Sequence, residues 1–371
     1  MQIKQLWLGD YRNYVAAEVE FVSEGLTIIR GNNGAGKTNL LEAIGYCATL
    51  KSLRGAPADA LVRYGCASAI VRAQVCQAGR EVLIEAQISP GARDRVQVNR
   101  QVLRRARDLV GTFGVSVFSP EDLSLVKSGP SERRRYLDDT LVSLQPGVDR
   151  LCSDLDRVLR QRNALLKQAG GRATPEVTAT LDVWDAQLSQ YGTLLAKKRF
   201  QLVERLNQPV AEAYAGLAMG RGDRKWLGEL KLTYRYSWEG LLATALASKR
   251  KEDLRRGVTT VGPQRDELDI VLGSPALPAR THASQGEQRC LALALRLAAH
   301  CLVIAETGET PVLLLDDVFS ELDPDRSAAL LNLLPAGQSL LSTAGPLPVG
   351  IEPTAVLAVR SGSICRESLE K

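Results

Sequence analysis

Histidine is nearly absent from this sequence, with 2 in 371 residues, and aromatic residues make up only 5% of it. Two histidines cannot furnish a His-rich metal site. The 7 cysteines, Cys47, Cys66, Cys76, Cys152, Cys290, Cys301 and Cys365, include no CxxC pair to complete one. Their odd number and irregular spacing argue against a disulfide framework, so they read as reduced thiols, mostly small core residues. No uninterrupted apolar run approaches the roughly 18 residues of a membrane helix. The N-terminus, MQIKQLWLGDYRNY, lacks both the basic stretch and the apolar core of a secretory signal. The expectation is a soluble, cytoplasmic protein with no membrane partner. Excess charge is small as well: 47 Lys and Arg against 42 Asp and Glu leave +5, which only hints at an acidic partner. There is no internal repeat and no low-complexity segment. The length, with 45% hydrophobic residues, excludes a disordered or fibrous chain and suggests about two folding units.

The first third alternates short β-like runs with turn residues, at residues 3–8, 19–22, 26–30, 69–75, 82–88 and 96–98, with one helical stretch at 37–50. Near Pro120 the period-2 pattern gives way to helical spacing for more than a hundred residues. Within it Thr174, Pro175 and Glu176 supply an N-cap, a first-turn proline and an early acid. Val177, Leu181, Trp184, Leu188, Tyr191 and Leu195 then recur at spacings of four and three, one stripe that needs a partner helix. Leu151, Leu155, Leu159, Leu165 and Leu166 offer one, with Gly170, Gly171 and Arg172 as the turn of an α-hairpin. A plain subdomain core and an arm that touches a partner would both show this pattern. Strand-like patterning returns at 231–237 and 268–272, then a helix at about 286–305, then strands at 311–316, 339–343 and 355–359.

Gly31-Asn32-Asn33-Gly34-Ala35-Gly36-Lys37-Thr38 fits G-x-x-x-x-G-K-[ST], directly after one expected strand and opening the next helix. In such a P-loop the glycines let backbone N–H groups converge on a β-phosphate, with the helix N-terminus adding positive potential. Lys37 would neutralise β/γ oxygens and Thr38 would coordinate Mg²⁺. The expected cofactors are therefore ATP and Mg²⁺. Val312-Leu313-Leu314-Leu315-Asp316-Asp317 is an apolar strand delivering two carboxylates where it emerges. Asp316 is suited to hold the Mg²⁺ through water and Asp317 to polarise the attacking water, which makes Lys37, Asp316 and Asp317 the expected catalytic set.

Ser284-Gln285-Gly286-Glu287 precedes an apolar helix, so Ser284 can cap it while the Gly286 N–H and the helix dipole present a second anion site. An ordinary serine N-cap would look the same. Its place, about two dozen residues before Asp316, resembles the signature motif of ABC ATPases, which reaches across a dimer to the γ-phosphate held by the other copy. Ser320-Glu321-Leu322-Asp323 resembles their D-loop.

With these motifs the chain resembles the RecF family, the recombination-repair branch of the SMC-like ABC ATPases, over nearly its full length. The resemblance also rests on Leu8-Gly9-Asp10-Tyr11-Arg12-Asn13-Tyr14, on residues 118–123 (FSPEDL) and 131–138 (SERRRYLD), and on residues 260–266 (TVGPQRD). It implies an ATP-dependent homodimer that binds DNA at single-strand/duplex junctions, cooperates with RecO and RecR and helps load RecA at gaps. It also implies that Arg12 and Asn13 contact the nucleotide. Three departures from the wider ABC pattern stand out. Gln285 replaces a glycine, Asp317 replaces a glutamate, and the switch histidine is missing, with Thr343 the nearest candidate. The shorter Asp317 predicts slow hydrolysis, rising when DNA or the second subunit improves the geometry.

On the residues alone DNA is the weakest inference. Arg104, Arg105 and Arg107, Arg133 to Arg135, Arg157, Arg160 and Arg162, Lys197 to Arg199, and Lys249 to Lys251 with Arg255 and Arg256 suit phosphate contacts, but most such runs are solvated helix faces. Few aromatics mean few stacking platforms, so backbone recognition indifferent to sequence is expected. The resulting architecture is α/β, an ABC-type P-loop ATPase head. Residues 1–119 and 256–371 form the ATPase lobe, and 120–255 form an inserted helical lobe. A transporter ATPase subunit would want a switch histidine, and a small-molecule P-loop kinase would have no use for Ser284-Gln285-Gly286. A DNA scaffold merely gated by ATP would tolerate loss of Asp317.

Overall fold

A computed structural model describes residues 1–218, 230–273, 275–345 and 350–368. The chain divides into two compact units. The first comprises Met1–Asp122, Glu212–Arg224 and Arg289–Lys371, and the second Leu123–Ala211 and Lys225–Gln288. Against the expected limits, the second unit extends past residue 255. It does so because strands Lys231–Arg235 and Glu267–Leu272 pair with each other, with Tyr234 opposite Leu268.

In the first unit two six-stranded sheets flank the helix Lys37–Thr49. One is antiparallel, in the order Tyr14–Glu20, Gln2–Tyr11, Ala69–Gln77, Arg80–Ile88, Arg95–Val98, Gln101–Val102. The other runs Ser363–Glu367, Ala355–Arg360, Gly25–Arg30, Gln338–Thr343, Val312–Asp316, Val115–Phe118, all parallel except the first. Parallel strands buried on both faces read as continuous apolar runs, and Val312–Asp316 is buried at every position. Because these strands point one way, the segments after Arg30, Phe118, Asp316 and Thr343 emerge on one edge, where open α/β sheets gather their ligands. Ile3, Leu6, Val71, Ile84, Leu40, Ile44, Leu314 and Leu340 form the shared core of sheets and helix. The strand Val115–Phe118 was not expected from the sequence; four residues including Ser116 carry too little pattern to be seen.

The helix Gln285–Thr307 holds an 18-residue window with a mean hydropathy of 1.7, enough by length and composition alone to cross a bilayer. Leu291, Ala294, Leu295 and Ala298 are nevertheless buried in protein, as in a core helix. Near its end His300 Nδ1 lies 2.7 Å from Ser116 Oγ.

The second unit is built on helices Pro130–Leu144, Val148–Ala169, Leu242–Arg256 and helix Pro175–Ala218 as far as Ala211, with a three-stranded sheet, Leu277–Pro278, Glu267–Leu272, Lys231–Arg235. The expected hairpin is present: Gly170 and Gly171, both at positive φ, turn the chain, and Thr174 Oγ1 accepts from Val177 N at 3.3 Å. Leu181, Leu188 and Leu195 of the stripe are buried, and Leu254 of a third helix joins Leu166 and Leu181. Arg162, with no exposed surface, bridges these helices. Its Nε donates to Asp185 at 2.6 Å, and its Nη1 to Asp253 at 2.7 Å and Thr259 Oγ1 at 2.9 Å.

Candidate functional site

Strand Gly25–Arg30 delivers the loop 31–36, and helix Lys37–Thr49 departs from it with no side chain capping its first turn. Gly34 and Gly36 adopt φ of +79° and +119°, which side-chain-bearing residues avoid. A Cβ on Gly36 would stand 2.6 Å from Asn13 Nδ2 and 2.9 Å from the Tyr14 hydroxyl, and one on Gly31 would stand 2.4 Å from the Val359 carbonyl. Only glycine fits, and the free N–H groups of a helix N-terminus are left to serve an anion. Lys37 Nζ donates to the carbonyls of Gly31 at 2.8 Å and Asn32 at 3.1 Å, which holds the ammonium over the loop.

Beside it, Thr38 Oγ1 donates to Asp316 Oδ1 at 2.9 Å, and Ser342 Oγ donates to the same oxygen at 2.6 Å. Burial raises the Asp316 carboxyl above its ordinary range, against the pull of these two hydroxyls. Hydroxyl and carboxylate oxygens together suit a hard cation such as Mg²⁺. No group of three His, Cys, Asp or Glu placed to hold a metal ion exists among the described residues. A cation here would complete its shell with phosphate oxygens and water, as Mg²⁺ does beside a nucleotide. Asp317 follows at φ +49°, its N–H donating to Ser342 O and Oγ at 3.1 Å each. This kink turns the chain into the 3-10 turn Val318–Glu321, where Ser320 Oγ donates to Asp317 O at 2.7 Å. Asp323 then caps helix Pro324–Leu333 by accepting from Arg326 N at 2.9 Å; the Glu321 side chain lies outside what the structure describes.

Of the pair expected to meet the nucleotide, Asn13 touches the loop, its Nδ2 donating to Ala35 O at 2.9 Å. The Arg12 guanidinium turns instead to Glu42, with Nε at 2.8 Å and Nη2 at 3.0 Å from its two oxygens. Glu42 is wholly buried on the P-loop helix and also accepts from Ser52 Oγ. Arg54 Nη2 lies 3.5 Å from Glu42 and donates to Asn39 Oδ1 at 2.9 Å, and Asn39 Nδ2 donates to Asn13 Oδ1 at 2.8 Å. The Tyr14 hydroxyl donates to Gly36 O at 2.9 Å. Glu42, Tyr14, Arg54, Asn39 and Ser342 were not found from the sequence. Only Glu42 left a signal, an acid inside the apolar run 40–48, where an unpaired charge is costly. Thr343, the candidate for the missing switch histidine, hydrogen-bonds its own turn, accepting from Gly345 N at 3.1 Å.

The second unit carries the signature-like tip. Ser284 Oγ accepts from Glu287 N at 3.3 Å while Ser284 N donates to Glu287 Oε2 at 2.6 Å, a reciprocal capping box. Ser284 and Gln285 are exposed, so the helix start is open to a partner. The basic clusters divide. Arg133 pairs with Glu267, Arg162 with Asp185 and Asp253, Arg199 with Asp138 and Arg250 with Asp182 and Asp185, and these hold the fold. Arg160, Lys197, Lys251 and Arg255 are exposed and without an ion pair among the described residues.

A family model described as the RecF/RecN/SMC N terminal domain matches residues 2–340. The DNA replication and repair protein RecF of Streptomyces avermitilis is 45% identical over 361 residues, covering 93% of each chain. The solved recombination mediator protein RecF with ATP, of the RecFOR pathway, superposes with a TM-score of 0.88 at 29% identity, over 99% of this chain and 98% of that one. An SMC head bound to the winged-helix domain of ScpA superposes at 0.60 with 18% identity, over 100% and 98%, a likeness of fold alone.

Proposed function

The chain belongs to the RecF family of the RecF/RecN/SMC ATPases, with an ABC-type ATPase fold, and from that premise we propose an ATP-dependent DNA-binding protein of recombinational repair and replication restart. In this reading residues 31–38 cradle the triphosphate, Asn13 supports the loop, and Lys37 neutralises phosphate charge. Thr38 and Asp316 hold the Mg²⁺, which when bound screens the developing charge on the phosphates. Asp317 orients the attacking water. A carboxylate one methylene shorter than glutamate places it less well, so turnover is slow until DNA or the second subunit improves the fit. The exposed tip, Ser284 to Glu287, completes the site on a second copy, so that ATP closes a homodimer.

Charge supports a nucleic-acid partner. The second unit holds 24 Lys and Arg against 18 Asp and Glu, a net of +6, so the chain's +5 resides there and the first unit is close to neutral. Single-strand/duplex junctions are the substrate, the action is cytoplasmic, and RecO and RecR are the partners.

The observation that carries the reading is the joint placement of the glycine cradle, Lys37, and the Thr38 to Asp316 hydrogen bond on one sheet edge. Light scattering with and without ATP and Mg²⁺ tests it. The wild type is expected to double in mass with ATP and Mg²⁺, and Ser284→Arg to bind ATP yet remain a monomer. A chain that stays single in saturating ATP, Mg²⁺ and DNA would refute the proposal.

A further inference from the structure

Few aromatics are available, yet the second unit brings four of them together. Tyr234 and Tyr236 meet edge to face at 5.1 Å between ring centres, Tyr236 and Trp238 likewise at 5.3 Å, and Phe200 lies 6.2 Å from Tyr236, tilted by 31°. Tyr234 is buried beneath the group, whereas Phe200 and Tyr236 keep 40% and 39% of their surfaces exposed and Trp238 is half-buried.

Two motifs for which the ATP site has no use hold this ledge in place. Asp266 accepts from the Tyr234 hydroxyl and, at 2.8 Å, from Ser237 N, which fixes the backbone on both sides of Tyr236. Ser237 Oγ donates to Gly262 O at 2.9 Å and accepts from Gly262 N at 3.0 Å. Arg199, next to Phe200, donates to Pro263 O at 2.8 Å and to both oxygens of Asp138 at 2.7 Å. Arg134 donates to Asp266 O at 2.8 Å. The segments 131–138 and 260–266 thus clamp both chain segments that carry the exposed rings.

We propose that Phe200, Tyr236 and Trp238 form a stacking ledge for unpaired bases of single-stranded DNA. The proposal rests on the reading that this chain binds DNA, and it assigns one end of a junction to a place in the fold. Aromatic faces stack on any base, and rings locked beforehand lose little entropy when a base arrives. The phosphates that accompany such bases would meet a unit of net charge +6. Lys197, one helical turn before Phe200, is exposed and carries no ion pair among the described residues. A protein contact is the rival occupant, since Leu241, three residues after Trp238, is 74% exposed.

The test compares wild type, Phe200→Leu, Tyr236→Leu, Trp238→Leu and Tyr236→Phe on two probes. One is an oligodeoxythymidylate containing one 2-aminopurine, and the other is a blunt duplex of equal length. The leucine variants should bind the oligonucleotide about tenfold more weakly, the loss expected of one stacked base. They should also lose the quenching of 2-aminopurine emission. Duplex affinity and ATP binding should hold, and Tyr236→Phe should behave as wild type. Unchanged oligonucleotide binding in the leucine variants overturns the ledge, as does an equal loss on both probes. Duplex binding by the wild type without aminopurine quenching removes the ledge and leaves the DNA-binding reading intact, while binding of neither probe removes both. Lost self-association with DNA binding unaltered would make the ledge a protein contact and overturn the proposal.

Discussion

Thr38 and Asp316, 278 residues apart in sequence, are joined by a hydrogen bond of 2.9 Å from hydroxyl to carboxylate. The bond ties the first turn of the P-loop helix to the end of a buried strand, so the two oxygens proposed to hold the cation are set by the sheet itself. Asp316 is strained electrostatically by this position, because burial raises its carboxyl above the ordinary range. A folded-state value above the unfolded one means that the ionised form costs stability, a cost that grows as pH rises through the carboxylate range. Asp316→Asn should therefore raise the thermal midpoint at pH 7 relative to wild type, with the advantage shrinking in acid. It should lower ATP hydrolysis by about a hundredfold or more. Scanning calorimetry at two pH values and a phosphate-release assay check both halves.

The two positive-φ glycines of the loop should respond differently to alanine. Gly34 has nothing within 4 Å of an added Cβ among the described residues, so Gly34→Ala meets only backbone strain there, about 1 kcal/mol. Gly36→Ala meets the Asn13 amide and the Tyr14 hydroxyl as well, and should cost about 1–3 kcal/mol and weaken nucleotide binding far more. Denaturant titration and nucleotide titration of the two variants give the ranking, and equal effects would contradict it.

Arg162→Met removes the cation that Asp185 and Asp253 share inside the second unit. Asp253 is then left without a cation among the described residues, while Asp185 keeps Arg250, and the buried unpaired charge should cost about 3–5 kcal/mol in urea unfolding. Replacing both acids with leucine in the same chain should recover much of that loss, because an uncharged core no longer needs the pair.

His300 is held neutral, with burial pushing its imidazole down to about 4. In the unfolded chain it protonates near its usual value of about 6.5, so nothing is lost above that pH. As pH falls from about 6.5 to 4 the unfolded state takes the proton first, and stability should drop by about 3 kcal/mol. His300→Gln, which can keep a hydrogen bond to Ser116, should flatten this part of the pH dependence in a series of urea titrations.

The P-loop, the strand ending at Asp316 and the Ser284 cap were legible because each is written in a few consecutive residues. A glycine that must take positive φ, an apolar run buried on both faces and a serine three residues before a glutamate need no knowledge of distant neighbours. The basic clusters were not legible in the same way. Arg160 and Arg162 stand two residues apart on one helix, yet the first faces solvent and the second is sealed between Asp185 and Asp253, which lie on other helices. Arg12 likewise gave no sign that its partner would be Glu42.

The sequence by itself determined the chemistry of the phosphate cradle, the acids at the end of the buried strand, and the capped helix tip, since local backbone preference and burial pattern dictate those. The tertiary structure alone decided that Ser342 steadies Asp316, that Arg133, Arg162, Arg199 and Arg250 of the basic runs brace the fold, and that four scattered aromatics meet in one cluster. Those outcomes depend on which strands and helices become neighbours across long stretches of chain, and side-chain pairing at such separations follows packing rather than any local rule.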